Sequence, residues 1–310
     1  MSYRVTRRGL LAGTLALVAQ ASAPLRVLAA ASPAQVSALG DDLWLVQGLG
    51  APLLVSRSGE QLLLVDGGEA GSAKALTALL SQRFPKARVH ALINTDWHTD
   101  RSGYNDTAAA AGAKLIATEN TRLWMSTERT GGPEGRVLTP RAVRARPTDT
   151  LFYGNRNLTL GQQSVEYGVL PAGHTDGDLY VWFAAQNVLF AGDMVVSRRY
   201  PSIDSASNGW LGGMVSALKL LMSRCNAQTR IIDADGLLLG KADLLGQQDM
   251  CFTVLQRIAE SYYKGETRQQ FMASQPTREF DAARGDPRAF LLQAYESAWS
   301  HINEIRRVTR

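Results

Sequence analysis

The chain has 310 residues, 45% hydrophobic and 20% charged, which is enough apolar side chain for a sizeable core and excludes a disordered or fibrous protein. Its formal charge of +5 falls to +1 when Arg4, Arg7, Arg8 and Arg26, the only charges in residues 1–31, are set aside. The high pI therefore owes much to one segment and does not point to nucleic acid as a partner.

That segment reads "TRRGLLAGTLALVAQASA": an arginine pair at Arg7 and Arg8, an apolar stretch from Leu10 to Ala19, then small residues to Ser32. It has the form of an export signal over residues 1–31, and the arginine pair suggests the twin-arginine route to the periplasm. The apolar stretch is shorter than the roughly 20 residues of a membrane span, so no stable span is expected once the signal is removed. Residues 32–310 read as one domain. Cys225 and Cys251 are the only cysteines, and they could pair in an oxidising compartment or remain buried thiols.

In chain order, "LWLVQG" (43–48), "PLLVSR" (52–57) and "QLLLVD" (61–66) read as strands separated by glycine-bearing turns. Residues 72–84 read as a helix, with Ala75, Leu76, Leu79 and Leu80 on one stripe. "VHALIN" is a strand leading into "TDWHTDRSGYND", and "KLIATENTRLWM" gives another strand and helix. Residues 127–149, rich in Gly, Pro and Arg, read as a long loop. Its five arginines (Arg129, Arg136, Arg141, Arg144, Arg146) could attract an anion or simply be solvated. Strands resume with "TLFYG", "LTLGQQSVEYGVL", "LYVWFAA" and "NVLFAGD", followed by helices over about 209–222, 241–263 and 288–305. Two successive strand-then-helix halves suggest two facing sheets with helices outside.

The chemistry-bearing residues fall mostly at strand ends. Asp96, His98 and Asp100 stand at every second position after an apolar run, so an extended segment would turn all three to one side and Trp97 to the other. "VDGG" places Asp66 in a tight turn, "PAGHTDGDL" places His174 in a glycine-flanked loop, and "FAGDMV" and "IIDADGLL" end in Asp193 and near Asp235. Tyr200 and Trp210 suit either a pocket wall or core packing. His90 and His301 read as structural.

The order and spacing of these pieces resemble the metallo-β-lactamase superfamily over nearly all of residues 32–310. His98 to His174 is 76 residues, His174 to Asp193 is 19 and Asp193 to Asp235 is 42, all within the family's range. "NTDWHTDRSGYND", "ENTRLWM", "YPSIDSASNGW" and "PTREFD" look most like an exported branch found beside sulfur-oxidation or quinoprotein systems. The resemblance implies an α/β fold of four layers, αββα. Asp96, His98, His174 and Asp193 would be ligands of one metal, and Asp100, Asp193 and Asp235 ligands of a second. Asp66 would support the metal loop by hydrogen bonding. Aspartate stands at 96 and 235 where the family has histidine, and Arg101 stands where many members have a histidine ligand.

By family the one or two divalent ions would be zinc, and the carboxylate-rich set also suits manganese or iron. The implied activity is hydrolysis of an ester, thioester, lactam or similar bond in a small molecule by metal-bound hydroxide, with Asp100 orienting the nucleophile or passing a proton. The alternative is a member that has lost turnover and binds a ligand or partner, with Arg101 salt-bridged to Asp100 or Asp235 where a metal once sat.

Overall fold

A computed structural model describes residues 34–131 and 136–308. The expected export signal lies outside the described residues. Six strands come first or nearly so: β1 (Gln35–Gly40), β2 (Leu43–Gln47), β3 (Leu53–Ser58), β4 (Gln61–Val65), β5 (Arg88–Ile93) and β6 (Lys114–Thr118). Helices α1 (Ala73–Arg83), α2 (Asn105–Ala110) and α3 (Glu119–Ser126) are interleaved with them. Next are β7 (Arg129–Gly131), β8 (Arg136–Leu138), β9 (Asp149–Leu151), β10 (Asn155–Leu160), β11 (Gln163–Val169), β12 (Leu179–Phe183) and β13 (Val188–Phe190). The rest comprises α4 (Leu211–Arg224), β14 (Arg230–Ile232), β15 (Leu238–Leu239), α5 (Lys241–Tyr263), α6 (Arg268–Ala273), α7 (Arg278–Arg284), α8 (Arg288–Ser300) and α9 (Ile302–Val308).

Two mixed sheets result. One runs β1-β2-β3-β4-β5-β6-β9 and the other β10-β11-β12-β13-β14-β15. The strand sequences explain the layering. Along β3 and β4 apolar residues occupy both faces, as expected when a sheet is covered on both sides. Leu54, Leu63 and Val65 pack inward against Val181, Phe183, Phe190 and Ile232 of the opposite sheet. Val55, Leu62 and Leu64 face outward onto Leu76 and Leu80 of α1 and Ala108 of α2. On the far side Leu189 and Ile231 meet Leu218 of α4, Leu255 of α5 and Phe290 of α8. This is the four-layer αββα arrangement.

Three expectations are corrected. Residues 127–149 are not loop throughout, since β7 and β8 pair as an antiparallel hairpin. Strand β9 does not open the second sheet; it pairs parallel to β6, and the chain crosses over only after a turn at Gly154 (φ +77°). The helix expected over 288–305 breaks at His301, whose ring lies flat on Trp210 (centroids 4.2 Å apart, planes 6° apart). Helices α6 and α7 are one to two turns long, too short for a periodic apolar stripe to announce them.

The C-terminal ends of parallel strands β4, β5, β13 and β14 gather at one edge of the sandwich, the usual place for a site in such sheets. The β11–β12 loop joins them there, tied across by Leu179 N donating to Thr95 O at 2.8 Å. Helix α4 sets the position of that loop by backbone contact. A Cβ on Gly213 would fall 1.6 Å from the carbonyl oxygen of Ala172. Gly213→Ala must therefore push the His174 loop or α4 aside. We expect a loss near the upper end of the ~1–3 kcal/mol typical of overpacking, read by urea denaturation. A loss under about 0.5 kcal/mol would show that the helix does not brace the loop.

Candidate metal centre

Strand β5 ends at Ile93, and the residues after it turn rather than extend. Arg101 N and Ser102 N both donate to His98 O, at 3.2 and 3.1 Å, and Ser102 Oγ adds a third bond at 2.7 Å. This turn defeats the period-two expectation. Asp96 and His98 converge, Asp100 swings to an exposed position, and Arg101 points inward with 1% of its surface exposed. Trp97 is buried, but instead of pointing away it rests against His98 (centroids 4.3 Å apart), with Nε1 donating to Ser207 Oγ at 3.0 Å.

Four of the expected ligands meet. One ligand atom from each of Asp96, His98, His174 and Asp193 lies within 4.8 Å of all the others, the one such group among the described residues. His98 Nδ1 stands 3.2 Å from Asp96 Oδ1 and 3.1 Å from His174 Nε2, which is 3.7 Å from Asp193 Oδ2. A tetrahedral ion with ligand bonds of about 2.1 Å has ligand–ligand edges of roughly 3.4 Å, so these separations suit a single small cation.

The outer nitrogens strengthen the fit. His174 Nδ1 lies 2.9 Å from Ser202 O, a pure acceptor, so Nδ1 carries the hydrogen and Nε2 faces the group. His98 Nε2 is 3.4 Å from Asp204 Oδ2, which leaves Nδ1 facing inward. An oxygen acceptor behind each imidazole is the usual way a protein fixes the tautomer and aim of a metal-ligating histidine. Burial disfavours a charged His98, yet Asp204 and Asp96 on either side push its pKa up to about 10. A cation must therefore displace a proton there.

The carboxylates are held ready as anions. For Asp96, burial acts to raise the pKa, but the His98 hydrogen bond and the nearby His98 and Arg101 charges outweigh it and hold the carboxyl below its usual range. Asp193 is held far lower still: burial again opposes, and Arg101 and the two histidines prevail. Arg101 is the hub. Its Nε donates to Asp193 Oδ2 at 2.8 Å and lies 3.4 Å from Asp96 Oδ2, while Nη1 donates to Asp66 Oδ2 at 3.1 Å. It does not salt-bridge Asp100 or Asp235, the partners expected if a metal had been replaced.

Asp66 stays outside the ligand group and anchors it from behind. It accepts from Thr95 N (2.8 Å) and Thr95 Oγ1 (2.7 Å), which fixes the start of the 94–102 loop. To do so it adopts φ +64°, a left-handed conformation that costs a non-glycine residue of order 1 kcal/mol. Full burial pushes its pKa up to about 7 despite Arg101.

The second set does not close into a ligand group. In the turn after β14, Asp233 takes the inner place, accepting from Asp235 N (3.0 Å) and Leu237 N (2.8 Å), and Asp235 is left exposed. Arg199 Nε then bonds both Asp235 oxygens, at 3.2 and 3.1 Å, and Arg199 Nη2 lies 3.7 Å from Asp193 Oδ1. Asp100, Arg101, Asp193, Arg199 and Asp235 line one open cleft of about 350 Å³. Where the resemblance puts a second ion, two guanidinium groups stand among the carboxylates.

A model of the Metallo-beta-lactamase superfamily matches residues 50–225. The chain belongs to that superfamily. Among solved structures, a metallo-β-lactamase from Pontibacter korlensis superposes with a TM-score of 0.58 at 18% identity, over 70% of this chain and 98% of that one. The DIM-1 metallo-β-lactamase gives 0.57 at 17%, over 71% and 97%. A double mutant of the sec-alkyl sulfatase PisA1 gives 0.61 at 15%, over 78% of this chain and 45% of that one. At these identities the likeness is one of fold.

Within this superfamily member, Arg199, Asp204 and Asp178 escaped the sequence reading. Asp178, buried, accepts from Thr175 N and Oγ1 and closes the His174 loop, and burial raises its pKa to about 6. It lies inside the "GHTDGD" motif, and Asp204 inside "YPSIDSASNGW", so both segments were in view without a signal for which aspartate matters. Tyr200 and Trp210 belong to the core: Tyr200 stacks on Phe290 and its hydroxyl donates to Asp281 at 2.7 Å. Cys225 and Cys251 are both free and buried.

Proposed function

We propose that this chain is an exported, periplasmic hydrolase that uses one divalent cation, held by Asp96, His98, His174 and Asp193. The reading rests above all on the two imidazoles, each pinned behind by an oxygen and turned toward a carboxylate. Charge supports one ion rather than two. Arg101 holds Asp96 and Asp193 as anions for one cation, Asp66 with its pKa raised to about 7 is only partly ionised at neutral pH, and Arg199 already stands between Asp193 and Asp235 where a second cation would go. The nitrogen–oxygen donor set accepts zinc and also suits manganese or iron.

When bound, such an ion supplies Lewis acidity, polarising the scissile bond and acidifying water. The protein does the rest. Asp204 and Ser202 keep the imidazoles aimed, and Arg101 holds Asp193 and Asp96 ionised. Asp100 sits at the cleft mouth, where partial desolvation by the cleft walls and the Asp193 charge raise its pKa, so it is suited to accept a proton from the attacking water. Arg199, part-exposed in the same cleft, can exchange Asp235 for an anionic group of the substrate. The substrate is a small molecule with an ester, thioester, lactam or similar bond. Among the described residues no helix is long and apolar enough to cross a membrane. Membership of the exported branch beside sulfur-oxidation or quinoprotein systems belongs to the same proposal and rests on the sequence segments quoted above.

A second reading has one observation in its favour. Asp193 is already bonded by Arg101 and faced by Arg199, so the network is electrostatically satisfied to a large degree on its own, as in a member that binds a ligand without turnover. Screening the Zn²⁺-, Mn²⁺- and Fe²⁺-loaded protein against ester, thioester, lactam and sulfate-ester panels separates the two. Hydrolysis that falls at least 100-fold in Asp96→Ala supports the enzyme. Silence across all panels by fully loaded protein favours the binder.

A further inference from the structure

Of the five arginines in 127–149, Arg144 is paired with Asp106 at 3.0 and 2.7 Å and Arg146 donates to Arg141 O at 2.9 Å. Arg141 differs. It is half-buried, and among the described residues no carboxylate stands within ion-pair distance and its side chain makes one hydrogen bond, a long one to Ser102 Oγ (3.4 Å). Burial lowers its pKa, and among the described residues no carboxylate offsets the cost of holding this cation partly out of water.

Arg141 lines a cavity of about 180 Å³ whose other walls include Trp97, Thr99, Trp124 and Met125. The indole N–H groups of both tryptophans are committed elsewhere, Trp97 to Ser207 Oγ and Trp124 to Asp176 Oδ1 at 2.6 Å. The tryptophans therefore offer the cavity mainly carbon. The volume slightly exceeds the roughly 150 Å³ cavity that admits benzene. One ring and one small anionic group fill it. The cavity also adjoins the metal centre: Trp97 and Thr99 flank His98, and Ser102, which accepts from Arg141, donates to His98 O.

We propose that this cavity binds a single-ring aromatic carboxylate, the ring between Trp97 and Trp124 and the carboxylate on the Arg141 guanidinium. As the pocket for the non-reacting end of a substrate it rests on the hydrolase reading, and the binding event itself needs no metal or turnover. A planar carboxylate matches the two-pronged guanidinium better than a tetrahedral anion matches a cavity walled by indoles.

The test is tryptophan fluorescence and calorimetry on the full chain, with benzoate, benzamide and inorganic phosphate as probes. Wild type stripped of metal with a chelator and desalted is run in parallel, to remove capture of the carboxylate by a bound cation. Benzoate is expected to bind untreated and metal-stripped wild type alike, with benzamide at least tenfold weaker and phosphate not competing. Arg141→Gln should weaken benzoate about tenfold or more. Trp124→Leu should weaken it several-fold, with unchanged far-ultraviolet circular dichroism in both variants. Benzoate binding that disappears when metal is stripped, survives Arg141→Gln, or is matched by phosphate would overturn the assignment, as would no binding at 10 mM. Turnover without benzoate binding would leave the hydrolase standing and remove this pocket from it.

Discussion

Replacing Arg101 by alanine is expected to cost about 3–5 kcal/mol of folding stability, the largest loss from any single side chain of the centre. The side chain is 1% exposed and bridges Asp66, Asp96 and Asp193, so its removal strands three inner carboxylates rather than breaking one surface pair. For a domain of this size that is a fall of roughly 10 °C in Tm. Lysine should recover less than half, because one ammonium cannot reproduce separate N–H contacts to Asp66 and Asp193. Asp66→Asn in the Arg101→Ala background should restore part of the loss by removing one stranded charge, a coupling that a double-mutant cycle reads directly.

The deficit should also depend on pH. Asp66 already has a folded pKa raised to about 7, above its ordinary 3.8, and losing Arg101 removes the charge that opposes this rise. A group with a raised folded pKa favours the folded state at low pH and loses that contribution as pH climbs through the folded value. The cost of Arg101→Ala should thus be smaller at pH 5 than at pH 8. Urea titrations at both pH values decide it, and a loss under about 1 kcal/mol at pH 8 would show that Arg101 is not the hub.

Much of the fold was legible because a buried strand such as "QLLLV" is apolar on both faces and flanked by glycine-bearing turns, and "RVHALI" ends in a buried apolar run. The boundaries of α5 could be read from sequence, since one long helix repeats its stripe often enough to be unambiguous. Strand β9 was misplaced because three residues carry no information about which sheet they join. At the centre, the ligand types and their order could be read, and the direction of each side chain could not. Alternation at period two holds only on an extended segment, whereas three hydrogen bonds to His98 O curl residues 96–102 and exchange Asp100 for Arg101 at the interior. The same holds after β14, where Asp233 rather than Asp235 turns inward because it caps the turn. Arg199 left no signal at all, since its role depends on a tertiary approach to Asp193 and Asp235 from 36 or fewer residues away in the chain.

The second large effect concerns the ion itself. His98→Ala and His174→Ala each remove one of four donors, and each should lower metal affinity by more than the 10–100-fold that supporting partners typically command. Arg199→Ala should act in the opposite sense. It frees both Asp235 oxygens and one face of Asp193, and so opens a second carboxylate site that the native guanidinium closes. Plasma mass spectrometry on protein purified without chelator or affinity histidines, then re-equilibrated with excess Zn²⁺ or Mn²⁺ and desalted, reads the stoichiometry. One tightly held ion per wild-type chain is expected, with almost none in either histidine variant and more than one in Arg199→Ala. Two ions in the wild type, or a folded wild type that retains none, would contradict the single-ion centre.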